Sequence, residues 1–141
     1  MLTSERVYQV LGHPEKEKDM VVWDVPSELE LGVIPKKIYC NTRMIIPLRD
    51  AFTAILQNDL LEELKTWDGC FNIRQKRGAT SWSLHSWGLA IDINAAWNRF
   101  GEVPTMSDDL VHCFTSNGFD WGGEWTKPDG MHFQLKSSLF S

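Results

Sequence analysis

The sequence contains no apolar run long enough to span a bilayer, which excludes a membrane-crossing helix. It has no basic excess either: Asp and Glu outnumber Lys and Arg, 19 to 14, for a net charge of −5. That leaves no electrostatic footprint for nucleic acid and no cationic module for an anionic cell wall. Cysteine is scarce. Cys40, Cys70 and Cys113 are odd in number, widely spaced and free of any CxxC pair, so a thiolate zinc site is excluded. We expect free, mostly buried thiols in a reducing compartment, and no motif around any of the three marks a catalytic cysteine. Internal repeats and low-complexity linkers are absent. Met1 to Gly12 carries charged residues and lacks the apolar centre of a Sec-type signal peptide, so the expectation is a protein made in a cytoplasm without an export address of its own.

What remains is a chain of 141 residues with the composition of one soluble globular domain, 1–141. Ser4 to Leu11 predicts a short helix, capped by Thr3 or Ser4 and stopped by Gly12. Met20 to Val25 predicts a strand ended by Pro26, and Lys36 to Asn41 an extended segment. Thr42 to Gln57 carries the longest helical pattern: Met44, Leu48, Phe52, Ile55 and Leu56 recur at spacings of three and four, with Pro47 near the first turn. Asn58-Asp59 interrupts it, Leu60 to Trp67 is expected to resume it, and Asp68-Gly69 to turn. Cys70 to Arg74 predicts a strand with Phe71 and Ile73 inward, and Gln75 to Ser83 a polar lip. Ser107 caps a helix running to Asn117, with acidic Asp108 and Asp109 in its first turn. His112 on that helix is expected at the core or its boundary, and His13 in solvent. Phe119 to Trp121 predicts a strand, Gly122-Gly123 a turn, and 136–141 a polar tail. Helices first and clustered strands after favour α+β over alternating βαβ units.

Two stretches carry chemistry. In the first, Ser83 to Asn94, Leu89, Ile91 and Ile93 alternate with Ala90, Asp92 and Asn94, the period of a strand with one buried face. Asp92 therefore projects away from the isoleucines, Ala90 leaves space beside it, and Gly88 permits a turn or a close approach. His85 precedes the strand on a polar loop. In the second stretch, Met131, Phe133 and Leu135 alternate with His132 and Gln134, and Asp129 lies three positions before His132. Two imidazoles and one carboxylate, His85, Asp92 and His132, make a set of three ligands of the kind catalytic zinc takes while keeping one position for water. A free carboxylate nearby, for which Asp129 is the candidate, suits a base that takes the water's proton and passes it to a leaving amine. The competing readings are ordinary satisfied histidines with a turn-capping Asp92, and a zinc site kept for structure or binding.

Ser-x-His-x-x-Gly-x-Ala-x-Asp followed downstream by Asp-x-x-His resembles the signature of the D-alanyl-D-alanine carboxypeptidase/VanY-type zinc peptidases. The closer likeness is to the phage endolysin branch that cuts the L-alanyl-D-glutamate bond of peptidoglycan, which the Trp121-Gly122-Gly123-Glu124-Trp125 run also resembles. The resemblance covers roughly residues 40 to 136. It implies a hedgehog/D-Ala-D-Ala-peptidase-like fold, a small antiparallel sheet with helices packed on one side and zinc on the other. It makes His85, Asp92 and His132 the zinc ligands and Asp129 the catalytic carboxylate, the base, three residues before the last His. It also gives Arg74, with Arg77 as competitor, the role of steadying the substrate carbonyl or its oxyanion. Ser83, Trp87 and Trp125 are the candidate substrate contacts, among seven tryptophans of which most are expected in the core or cleft wall. The implied partner is a peptidoglycan stem peptide met by a monomer, with no nucleic acid and no membrane. The implied setting is a phage lysin made in the bacterial host cytoplasm and released to the wall by a holin. Release of terminal D-Ala by a carboxypeptidase and a non-catalytic zinc-containing wall-binding module are the alternatives.

Overall fold

A computed structural model describes residues 1–141. The Thr3 hydroxyl accepts the Arg6 N–H and opens helix α1 (Ser4–Leu11), which Gly12 closes at φ +74°. Its buried stripe is Val7 and Leu11. Strands β1 (Met20–Asp24) and β2 (Lys37–Asn41) form a separate antiparallel ribbon, with Met20 opposite Asn41 and Asp24 opposite Lys37. A 3-10 turn, Thr42–Met44, leads into α2 (Ile45–Gln57), where Pro47 sits in the first turn and loses no hydrogen bond the helix would otherwise make.

The main sheet is four-stranded and antiparallel, in the order β3 (Trp67–Gly69), β4 (Ala90–Ile93), β6 (His132–Leu135), β5 (Phe119–Trp121). Alternation divides it cleanly into two faces. Ile91, Ile93, Phe133 and Leu135 are fully buried on one, where Phe114 of α3 (Asp108–Thr115) lies 4.5 Å from Phe133 and 5.8 Å from Phe119, ring centre to ring centre. Each such side chain contributes about 1.5–3 kcal/mol by leaving water. Asp92, His132 and Gln134 occupy the other face. Helix α2 packs on α3, so two of the three helices cover the apolar face. Val7 and Leu11 of α1 belong to the same core, and Leu2, just before the helix, accepts a hydrogen bond from Gln134 on the other face. No helix is long and apolar enough to cross a membrane.

The structure departs most from the sequence reading in one continuous region, 60–74. Leu60 to Trp67 does not resume the helix. Asp59 adopts left-handed backbone at φ +55°, only Leu61–Glu63 forms a 3-10 turn, and Asp68-Gly69 belongs to β3 rather than to a turn. The Asn94 side chain explains the break: its Oδ1 accepts the N–H groups of Lys65 and Thr66 at 2.8 and 3.1 Å, and its amide donates to Glu63. Cys70 to Arg74 is likewise not a strand. It runs beside the turn containing His85, and the Asn72 N–H donates to the His85 carbonyl. Two smaller differences lie elsewhere. His112 is exposed rather than at the core. The C-terminus is docked rather than a free polar tail: Phe140 is buried under the Arg43 guanidinium, which also donates to the Ser141 carbonyl.

Candidate metal centre

The site is built from one cross-strand pair and one turn. Asp92 of β4 stands directly opposite His132 of β6, a register that places the two side chains as neighbours on the polar face. Ala90 stands opposite Gln134, so the small residue lies beside the long one. His85 arrives on a 3-10 turn, Leu84–Trp87, which is buried throughout and so is not the polar loop expected from sequence. Ser83 caps this turn by accepting the His85 N–H at 3.3 Å. Gly88 ends it at φ +66°, where a Cβ would lie 2.8 Å from the backbone nitrogen of Asn41. The turn and the close approach expected of this glycine are both present.

Each imidazole has one nitrogen committed to an oxygen. His85 Nδ1 lies 2.7 Å from the Cys70 carbonyl, which can only accept. His132 Nε2 lies 2.9 Å from Gln134 Oε1, whose amide nitrogen donates in turn to the Leu2 carbonyl at 3.2 Å. These partners place the ring protons on the outer nitrogens and turn the lone pairs of His85 Nε2 and His132 Nδ1 inward. The inward atoms lie 3.2 and 3.5 Å from Asp92 Oδ1, and the three ligand atoms all fall within 4.8 Å of one another. Close as they are, neither His85 Nε2 nor Asp92 Oδ1 has an aligned hydrogen-bond partner. Three inward-facing acceptors without a proton in line between them repel unless a cation lies among them. The donor set, two imidazoles and a carboxylate each steadied from behind, fits a divalent transition metal such as zinc.

Beside the three ligands opens a cleft of about 430 Å³. Asp129, Arg74, Arg77, Ser83 and Trp125 all line it. Asp129 is tied to the ligand strand, since its carbonyl accepts the His132 N–H at 3.1 Å. Burial raises its carboxyl above the ordinary value and Asp92 adds to this, while His132, Arg77 and His85 pull the other way. The 3-10 turn Gly122–Glu124 backs it closely: a Cβ on Gly122 would lie 2.6 Å from the Asp129 carbonyl oxygen and 3.3 Å from His132 Cβ. Trp125 stacks obliquely on His132, centroids 5.2 Å apart. Arg74 has its backbone clasped on both sides by the Ser86 hydroxyl, which accepts its N–H and donates to its carbonyl. Trp87 is elsewhere. It is 3% exposed, and its indole N–H donates to the Gly12 carbonyl, so it closes the core over the end of α1 and does not line the cleft.

Three supporting groups escaped the sequence reading. Gln134 carried a usable signal, because two residues on from His132 in a strand is the same face. The carbonyls of Cys70 and Leu2 carried none, since any residue type offers a carbonyl. Lys127 and Phe100, also on the cleft wall, lie on loops whose approach no local pattern announces.

Residues 77–135, which include both metal motifs, match the model of an M15 peptidase family described as D-alanyl-D-alanine carboxypeptidase. The matched segment is under half of the chain, and it supports that family on the residues that build the site. No curated protein and no solved structure matches the chain.

Proposed function

We propose that this protein is a zinc metallopeptidase that hydrolyses peptidoglycan stem peptides, at the L-alanyl-D-glutamate bond, as a phage endolysin. The observation that carries the reading is the convergence of His85 Nε2, Asp92 Oδ1 and His132 Nδ1 beside an open cleft that also holds a half-buried carboxyl, Asp129. The family match supports the coarser part, a peptidase acting on peptidoglycan, and M15 peptidases are typically zinc-dependent. The endolysin part rests on the resemblance of Trp121 to Trp125 and on the spacing of Asp129 from His132.

His85, Asp92 and His132 would hold the zinc, which would supply Lewis-acid chemistry to a carbonyl and to water. The chain's own groups do the rest. Asp129 takes the proton of the attacking water and returns it to the leaving amine. Burial raises its carboxyl above the ordinary value, the direction that suits a group which must both accept and donate. Arg74, on the cleft wall, places a fixed cation against the negative charge that develops on the carbonyl oxygen. Ser83 and Trp125 border the substrate, the first with a hydroxyl and the second with an aromatic wall. The proposed partner is a stem peptide met by a monomer, reached after holin-type release from the host cytoplasm.

The description of the matched family favours a second reading, a carboxypeptidase that removes terminal D-alanine. Mass spectrometry of muropeptides digested by the zinc-loaded protein separates the two. Release of the stem from L-alanine is expected, whereas loss of a single D-alanine assigns the carboxypeptidase. Intact muropeptides after long incubation would reject both in favour of a binding module.

A further inference from the structure

The protein is acidic overall, with a net charge of −5, yet the wall of the metal cleft is cationic. Arg74, Lys76, Arg77 and Lys127 line it, and the only acids there are Asp92 and Asp129, both already part of the centre. None of the four cations has an acidic partner. The Lys and Arg ion pairs of this protein, Lys37–Asp24, Arg43–Asp19 and Arg49–Asp50, engage other residues. Four unpaired positive charges around one concavity focus a local field that the rest of the surface does not share.

Two of these cations meet on one aromatic ring. The Arg77 guanidinium lies 5.1 Å and the Lys127 ammonium 4.8 Å from the centre of the Phe100 ring. They come from different segments. Arg77 sits on the lip closed by the Gln75–Trp82 bridge, and Lys127 lies between Trp125 and Asp129. The residue after Phe100 fastens its loop to the second segment, the Gly101 N–H donating to the Pro128 carbonyl at 2.6 Å. One aromatic ring therefore gathers two like charges that would otherwise repel, and the attraction of each cation for the ring holds them. Arg77 and Lys127 line the same cleft as Asp129, which places the pair close to the reacting region. A fork of donors and an ammonium held together without an anion are complementary to a carboxylate.

We propose that Arg77 and Lys127, clasped on Phe100, form a carboxylate-binding subsite that selects peptides with a free carboxylate close to the scissile bond. The choice of a peptide ligand rests on the peptidase reading above. Two carboxylates of a stem peptide have this chemistry, that of the glutamyl residue after the scissile bond and that of the C-terminus.

Binding to the full-length, zinc-loaded protein tests it without hydrolysis. The probes are alanyl-glutamyl peptides with a ketomethylene group in place of the scissile amide, with each carboxylate in turn free or converted to the carboxamide, and the measurement is calorimetry. The peptide with a free glutamyl carboxylate is expected to bind about tenfold more tightly than its carboxamide. A preference confined to the C-terminal carboxylate would support the subsite and assign it to that source. The preference should shrink to about twofold or less in the exposed double variant Arg77→Gln/Lys127→Gln and weaken in Phe100→Leu, which keeps both charges and loses the ring. Equal binding of carboxylate and carboxamide by the unaltered protein overturns the proposal, as does a preference that survives the double variant. Cleavable versions of the same peptides separate the two readings. Discrimination without any hydrolysis rejects the peptidase and leaves the subsite, and hydrolysis without discrimination does the reverse.

Discussion

Gln134 holds His132 by its outer nitrogen, Nε2 to Oε1 at 2.9 Å, so the imidazole presents Nδ1 to Asp92. The amide is itself oriented, because its nitrogen donates to the Leu2 carbonyl. A chain of three groups thus reaches from the N-terminal segment to the candidate metal position. Outer partners of this kind fix the tautomer and rotation of a ligand, and removing one typically weakens metal binding by about 10–100-fold. Gln134→Ala is expected to lower zinc affinity by that factor, measured by competition with a chromophoric chelator, with the protein still folded. Unchanged affinity would mean that His132 is positioned by packing alone.

Asp129 is separable from the proposed metal site in a way that the three candidate ligands are not. It lines the cleft, and it is not one of the three converging atoms. Asp129→Ala should therefore keep its zinc, by elemental analysis, and lose about 10²–10⁴-fold in kcat, the usual contribution of a positioned acid–base group. His85→Ala should lose the metal itself. Strong residual hydrolysis by the Asp129 variant would remove the carboxylate from the mechanism.

Most of the chain's elements were legible because their signals are local. Thr3 and Ser107 cap the helices they were expected to cap, and the alternation around Asp92 and His132 set both on the polar face. What the alternation could not supply was register: nothing local says that Asp92 stands opposite His132 rather than one residue away. The misread region, 60 to 74, fails for a related reason. Its apolar spacing suits a helix and then a strand, but its backbone is claimed by distant partners, the Asn94 side chain and the turn holding His85. A hydrogen bond across about thirty residues of chain outweighs local propensity and leaves no trace in the spacing. Trp87 was misplaced because motif proximity is not spatial direction. Its neighbour His85 faces the metal position, while the indole faces α1.

The three thiols offer a test of the interior that is independent of the metal. All are free and buried. Burial pushes the Cys40 thiol up to about 12 and Cys70 well above its ordinary value. Cys113 is raised as well, by burial first and then by Asp109 and Glu63. A raised thiol pKa keeps the group protonated, and the protonated form is not the nucleophile. At pH 8 the native protein should therefore react with iodoacetamide at least about a hundredfold more slowly than the denatured protein, counted by mass. Raising the pH to 9 should change this little while the fold holds. Rapid labelling of one cysteine at pH 8 would mark a local opening or a reactive site at that position.

Gly122 tests whether the cleft's geometry, rather than its composition, sets activity. Its carbonyl accepts the Asp129 N–H at 2.9 Å, and its backbone is not left-handed. What it supplies is space: an added methyl would lie 2.6 Å from the Asp129 carbonyl oxygen, 3.2 Å from Asp129 Cβ and 3.3 Å from His132 Cβ. The strand cannot yield, because His132 is paired with Asp92 across β4 and β6, so the displacement falls on the segment carrying Asp129. Gly122→Ala should cost about 1–3 kcal/mol of stability from overpacking. It should also cost up to about a hundredfold in kcat, since a shift of about 1 Å in a catalytic group suffices for that. Thermal unfolding and kinetics on the same sample check both halves. If stability falls and kcat does not, the methyl has been absorbed away from Asp129 and the closeness of the two segments has no catalytic role.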